Sequence, residues 1–379
     1  MTIKASGNPL SFSEIEAEFG TTPARSLGQY RSDDASFTNK SFSGSSLSNI
    51  TLDAGIPASG EIKFSQFYGK KLNLVVDYYA DVANLNKQAA GNNTMAATWR
   101  YQNQSERVKV VGGFRSRPIG AVSSNYVLTA GDWQGGKKII VNVNQTVGGR
   151  KDSVRSDVAL RTGSWPSGTE LQIDIGPSGF LTGSGGDGGN GGSYDGGNGG
   201  TGTSALGVEY PATINNNGVI RCGYAGGGGG AGAANDPSDK STTDFGRSGA
   251  GGGGGAGLPA GLGGAAGTNG FNGPDPINGG PGNNGTISAG GNGGTGASHG
   301  GATGGDGGDG GDINDAPQIG APGIREDDRA YRNTPGDRGN PGSDGKAIYF
   351  SNSTVQSNST ITGNSIAGRA GGTQTGFFT

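Results

Sequence analysis

The stretch Gly290–Gly311 reads GGNGGTGASHGGATGGDGGDGG. Similar tracts recur with a period of three: GGDGGNGG at Gly185–Gly192 and GGDGGDGGD at Gly304–Asp312. Solid runs of glycine stand between them at Gly226–Gly230 and Gly251–Gly255. Three residues per turn is the period of the left-handed polyproline II helix, which rises about 3.1 Å per residue and has no internal hydrogen bonds. Without Cβ atoms, such helices approach closely and satisfy one another's main chain. Ordering a residue costs roughly 1–2 kcal/mol, and more for glycine. A hydrogen bond returns about 0.5–1.5 kcal/mol. A lone glycine helix therefore loses, while a bundle with paired main chains roughly breaks even. A GGX tract projects one side-chain edge per turn and belongs on an outer layer. The solid runs, bare on all sides, belong inside.

The same signal divides the chain. Of its 83 glycines, 18 lie in residues 1–175, 60 in 176–345 and 5 in 346–379. Charge divides there too: +4 over 1–175 and −7 over 176–379. The expected domains are 1–71, 72–175 and 176–379. An acidic glycine-rich part does not suit nucleic acid, whose phosphates require Lys and Arg. One cysteine, Cys222, excludes an internal disulfide framework and fits a chain that folds in a reducing cytoplasm. The start, MTIKASGNPL, lacks the apolar region of a secretory signal. No run approaches the ~20 apolar residues of a membrane span, so no membrane insertion is expected.

Residues 72–175 hold seven short runs rich in β-branched and aromatic residues: LNLVVDYY, TMAATWRYQ, ERVKVVGG, NYVLTAG, KKIIVNVNQTV, DVALRTG and ELQIDIG. Met95, Ala97, Trp99 and Tyr101 alternate onto one face, as do Val141, Val143 and Val147. Seven strands in this length predict a β-sandwich. Residues 1–71 are mostly polar but contain two related phrases, PLSFSEIEAEFG (Pro9–Gly20) and EIKFSQFYGK (Glu61–Lys70). In the first, Ser13 and Glu16 have capping-box spacing, and Ile15 and Phe19 share a helix face. The expectation is an attachment module using Phe12, Ile15, Phe19, Phe64, Phe67 and Tyr68. The fold class is mainly β plus polyglycine II.

Catalytic chemistry is sparse. His299 is the single histidine and sits in a Gly/Ser segment without a local carboxylate. There is no Walker-type phosphate loop, and GxGxxG matches in such a composition carry no weight. Asp306, Asp309 and Asp312 would stack ~9 Å apart along a threefold helix, too far to share an ion held at about 2.4 Å per ligand. They read as a solvated edge. The chain is expected to have no enzymatic activity, no cofactor and no metal. A collagen-like reading fails because the triplets slip phase and lack a Pro-rich pattern. A disordered linker remains the competing reading of the glycine-rich part.

The passage INNNGVIRCGYAGGGGGAG (Ile214–Gly232), the alternating GGX tracts and polar inserts, and GKAIYFSNSTVQSNSTITGNSIAG (Gly345–Gly368) together resemble the glycine-rich tail-fibre adhesins of bacteriophages, as at the tips of T-even-type long tail fibres. Separately, SGNPLSFSEIEAEFG, RSLGQYR and GEIKFSQFYGK resemble an N-terminal phrase common in phage virion proteins. The resemblance implies a polyglycine II sandwich with variable, host-binding loops at one end. It implies as partners other phage virion proteins of tail, baseplate or fibre, and a host surface protein or polysaccharide. Several copies per virion are expected. The inserts Ala233–Ser248, Thr268–Ser288 and Asp312–Asn333 concentrate Phe245, Phe271, Arg325, Arg329, Tyr331 and Arg332. Aromatic and Arg residues anchor binding surfaces, and Arg forks suit phosphates and acidic sugars. A purely structural virion component, such as a head-decoration, neck or collar fibre, stays open as the alternative. A depolymerase would need converging carboxylates in a groove.

Overall fold

The computed structural model describes residues 3–19, 27, 40–42, 45–47, 50–52, 57, 60–70, 72–80, 97–100, 109–110, 127–128, 138–149, 158–162, 168, 170–233, 247–268, 277–299, 302–325, 336–366 and 375–377. Each of the seven expected runs contains strand. Their pairing differs from expectation. Between Lys138 and Arg221 the strands stack in parallel, where a sandwich would pair them antiparallel.

The result is a three-sided parallel solenoid. Its first coil is Lys138–Val143, Thr146–Gly148 and Val158–Arg161. The second is Glu170–Ile175, Phe180–Thr182 and Ser204–Val208, and the third is Ala212–Asn216, Val219–Arg221 and Ile348–Phe350. A last coil contributes Thr360–Gly363 and Thr375–Phe377. Equivalent strands pair in parallel on each side. Leu72–Ala80 adds in parallel to the first coil and then pairs antiparallel with Ile50–Leu52 and Ala97–Arg100. A strand's alternation reports one buried face but says nothing about the direction of its neighbour, so the sequence pattern fits either pairing.

The coils enclose an aliphatic core. Val141, Ile173 and Ile214 stack on the first side through successive ladders. Val147, Leu181 and Ile220 stack on the second, and Leu160, Leu206 and Ile348 on the third. All nine are at most 1% exposed. Burying each such side chain is worth about 1.5–3 kcal/mol. The valines expected on one face, Val141, Val143 and Val147, all lie in this core. Of the other alternating set, Met95 and Tyr101 fall outside the described residues, while Trp99 pairs with Tyr78.

The glycine-rich sequence leaves the solenoid at one corner. In the second coil it departs after Thr182 and returns at Ser204; in the third it departs after Arg221 and returns before Ile348. The excursions form ten extended rods: 183–192, 196–203, 222–233, 247–257, 260–268, 277–285, 290–297, 304–312, 316–323 and 336–345, numbered 1 to 10 in that order. Odd-numbered rods run outward and even-numbered rods return. Hydrogen bonds join them with a step of three. Gly186, Gly189 and Gly192 of rod 1 donate to Tyr224, Gly227 and Gly230 of rod 3, while Gly185, Gly188 and Gly191 donate to Pro259, Leu262 and Ala265 at rod 5.

Rod 3 bonds to rods 1, 2, 4, 8, 9 and 10, and rod 4 to rods 1, 3, 5, 6, 7 and 8. Rods 3 and 4 carry Gly226–Gly230 and Gly251–Gly255, so the solid runs are interior, as their lack of side chains requires. Space there is measured in single methyls. A Cβ at Gly228 would stand 1.9 Å from the Gly339 carbonyl oxygen. The methyls of Ala225, Ala231, Ala250 and Ala256, in the same two rods, are fully buried.

The third residue of the GGX repeat has a bonding role. Asp306 and Asp309 Oδ1 accept the N–H groups of Gly296 and Gly293, each at 2.7 Å, and Asp312 Oδ2 accepts that of Gly290 at 3.4 Å. Asp187 and Asn190 do the same for Leu262 and Ala265, and Asp195 and Asn198 for Asp337 and Asn340. The solvated-edge reading of these aspartates is therefore incomplete. An outer rod has an N–H direction with no rod beyond it, and the short side chain of the adjacent rod fills that role.

Candidate functional site

The rods end in two different ways. At the solenoid end, the connections at 258–259, 286–289 and 313–315 are short turns. At the opposite end, rods 1 and 2 join through Ser193–Tyr194–Asp195, and the other outward rods reach Ala233, Thr268, His299 and Arg325 before returning at Arg247, Ile277, Ala302 and Gly336. These stubs are tied to one another. Ala233 and Arg247 exchange both main-chain hydrogen bonds, at 2.8 and 3.1 Å, and Arg247 bridges in parallel to Ile277. Ser248 accepts from Ala297 through its carbonyl at 3.2 Å and from Gly279 through Oγ at 2.9 Å. Ser298–His299, Ala302–Thr303 and Ile324–Arg325 form a small antiparallel sheet. The Tyr194 carbonyl accepts from Gly232 at 2.8 Å. The loop-bearing end is thus one fixed platform.

Of the residues proposed for recognition, Arg325 lies on this platform, at the end of the Ile324–Arg325 strand. Phe245, Phe271, Arg329, Tyr331 and Arg332 fall outside the described residues. The inserts are shorter than expected: 277–285 and 316–323, assigned to them from the sequence, are rods. Pro281, Asn283, Asn284, Pro317 and Gln318 obscure the triplet pattern there. Two residues of this end escaped the sequence reading. Tyr194, 43% exposed, marks the point where two residues, Tyr194 and Asp195, interrupt the triplet repeat. Arg247 is buried, and its residue type carries no signal of that.

The two N-terminal phrases pack against each other. The helix Phe12–Phe19 is capped by Ser11 and Glu14, two residues before the expected pair: Ser11 N–H donates to Glu14 Oε2 at 2.9 Å and Glu14 N–H to Ser11 Oγ at 3.3 Å. Both spacings fit a capping box, and an ion pair between Lys4 and Glu14 at 2.8 Å favours the earlier one. That hydrogen-bonded pairing with Lys4, aided by the Ser11 N–H, holds the Glu14 carboxyl down at about 2. The second phrase forms a short 3-10 turn, Phe64–Phe67, followed by Gly69 at φ +66°. Ile15 and Phe67 are fully buried, Phe12 meets Phe64 edge-on at 6.2 Å, and Tyr68 donates its hydroxyl to the Asn8 carbonyl at 2.7 Å. Five of the six proposed attachment residues are thereby brought together, and Phe19 closes the helix. Phe64 is 38% exposed.

Residues 73–376 match the family model of the phage tail fibre adhesin Gp38. The chain belongs to the Gp38 tail fibre adhesin family. It is accordingly a non-enzymatic structural protein of a bacteriophage, associated with the virion and concerned with host attachment. Burial pushes the Cys222 thiol up to about 12, which keeps it protonated at neutral pH. Among solved structures, the gp37-gp38 adhesin tip complex of the bacteriophage S16 long tail fibre aligns with 82% of this chain and 89% of its own, at 17% identity and a TM-score of 0.31. No curated protein matches the adhesin. Among its described residues, no helix is long and apolar enough to cross a membrane.

Proposed function

We propose that this Gp38-family chain caps a tail fibre, docks to a virion protein through its N-terminal unit, and offers the far end of its rod bundle to the host surface. The rods are polyglycine II helices in this reading, supported by their three-residue hydrogen-bond repeat. The observation that carries the proposal is the asymmetry of the connections. Segments 234–246, 269–276 and 326–335 all depart from the end away from the solenoid, where the stubs are cross-tied. These segments hold Phe245, Phe271, Arg329, Tyr331 and Arg332. Aromatic and Arg side chains of this kind suit a phosphorylated or acidic surface glycan, or the loops of an outer-surface protein. Phe64, exposed beside the half-buried Phe12, presents the accessible apolar part of the docking unit.

The test is an exchange of connections. Segments 234–246, 269–276 and 326–335 are replaced by those of a Gp38-family adhesin from a phage of different host range. In a control, the turns 286–289 and 313–315 are replaced instead. The expected result is that adsorption follows the origin of the far-end segments and ignores the turns. Adsorption that stays with the original host after far-end exchange overturns the proposal.

A further inference from the structure

Asn–Gly pairs lie among the described residues at Asn190, Asn198, Asn217, Asn278, Asn284 and Asn292. Such a pair is chemically labile, because glycine has no Cβ to shield its nitrogen from the neighbouring side-chain amide. Reaction needs two freedoms. The glycine N–H must be able to give up its proton, and the asparagine side chain must be able to turn towards it.

In the rods the lattice uses these groups. The N–H groups of Gly191, Gly199 and Gly285 donate to the carbonyls of Ala265, Asn340 and Gly261 at 2.9, 2.8 and 2.9 Å. Those of Gly279 and Gly293 donate to Ser248 Oγ at 2.9 Å and Asp309 Oδ1 at 2.7 Å. The Oδ1 atoms of Asn190, Asn198 and Asn284 are held too, by the N–H groups of Ala265, Asn340 and Gly263. Asn217–Gly218 differs. It turns the corner between Ala212–Asn216 and Val219–Arg221 in the third coil. The chain is pinned on either side, by Asn217 N–H to Ile175 O at 2.8 Å and Val219 N–H to Gly179 O at 3.0 Å. Between these bonds the Gly218 N–H has no acceptor among the described residues, and the exposed Asn217 side chain makes no hydrogen bond there. Glycine is nevertheless required at 218. A Cβ would stand 2.2 Å from the Gly179 carbonyl oxygen and 2.4 Å from that of Gly176. The packing of the corner thus keeps the most permissive neighbour beside Asn217.

We propose that Asn217 is a site of spontaneous modification, deamidated in the folded adhesin while the rod asparagines persist. The Gly218 nitrogen gives its proton to hydroxide and bonds to Asn217 Cγ. The Cγ–Nδ2 bond breaks, ammonia leaves, and a five-membered succinimide closes. Water then opens the ring at one of its two carbonyls, leaving aspartate or isoaspartate. The net change is one amide and one water to one carboxylate and one ammonium, with no oxidant or cofactor. Either product places a new negative charge at the solenoid corner.

The experiment incubates the folded full chain at pH 8 beside a sample unfolded in urea, and scores each Asn–Gly pair by mass after proteolysis. In the folded chain Asn217 is expected to convert at least about tenfold faster than Asn190, Asn198, Asn284 and Asn292, which react only through local opening. In urea the pairs should converge on similar rates. A folded-state advantage for Asn217 below about tenfold overturns the proposal. So does folded-state conversion of Asn217 more than about tenfold slower than in urea, which marks a corner too rigid to react. Asn217→Gln, whose longer side chain closes the ring poorly, should abolish the converted peptide, and its persistence in that variant refutes the assignment.

Discussion

One methyl group at Gly253 tests whether main-chain contact holds the bundle together. Gly253 lies in inner rod 4, and a Cβ built there stands 1.8 Å from the Gly291 carbonyl oxygen, where real contacts stop at 3.0 Å. The obstacle is main chain, with no side chain to rotate away. Rod 7 would have to retreat by roughly 1.2 Å. It is tied to rod 4 by Gly291 N–H to Gly254 O at 2.7 Å and Gly294 N–H to Gly251 O at 2.8 Å, and that retreat breaks both. Overpacking costs about 1–3 kcal/mol, and each broken bond about 0.5–1.5 kcal/mol. Loss of freedom in the unfolded chain offsets about 0.4–1 kcal/mol. The expected net destabilisation for Gly253→Ala is about 1–6 kcal/mol. Gly280→Ala is the control, since its Cβ would meet Thr295 N at 3.4 Å, an ordinary contact. It should be neutral or stabilising by up to about 1 kcal/mol. Urea unfolding, read through amide exchange of rods 4 and 7, measures both. Equal stability of the two variants within about 0.5 kcal/mol, near the error of such comparisons, refutes the close-packed main-chain account.

Asp309→Ala should loosen the outer layer by about 1–3 kcal/mol, because Gly293 N–H loses its acceptor; Asp309→Asn, which keeps a carbonyl oxygen, should restore most of it, as thermal unfolding will show. Cys222 should resist iodoacetamide at pH 8 in the folded chain and react only when the bundle separates from the solenoid, since burial raises its thiol to about 12; rapid alkylation of native protein would contradict its placement. The N-terminal unit should loosen on acidification. Glu14 is depressed from 4.5 to about 2, so its stabilising contribution is complete above 4.5 and lost as pH falls towards 2. A chemical-shift titration of the Ser11 amide reads this, and Glu14→Gln should remove the transition.

The parts legible in the sequence are those set by sterics. Runs without Cβ atoms had to be interior, and Gly226–Gly230 and Gly251–Gly255 are. Seven β-rich runs had to contain strand, and do. What escaped depends on partners distant in sequence. Val141 fits beside Ile173 in either direction, and only the return of the chain between Val143 and Glu170 makes the pairing parallel. The aspartates of GGDGGDGGD look solvated until rod 7 supplies the N–H groups they accept. Rods 6 and 9 were hidden because Pro, Asn and Gln occupy positions that face outward, where side chains are free to vary. The exposed Tyr194 and covered Arg247 follow from where rods stop, which no local pattern encodes.

The two halves of the molecule divide the tasks that a single core usually combines. The solenoid supplies apolar burial through three stacks of aliphatic side chains, and its parallel coils place the departing chain ends side by side. Thr182 pairs with Arg221, so rods 1 and 3 leave in register, and Gly183 N–H continues the ladder onto the Arg221 carbonyl at 3.0 Å. The first bonds between rods are therefore the last bonds of a sheet, and the bundle needs no separate nucleus. Beyond that point the lattice is held mainly by main chain, which is indifferent to what the far-end connections contain. The rods bond to one another through their own main chain, and a methyl at most inner glycines would meet the main chain of a neighbouring rod.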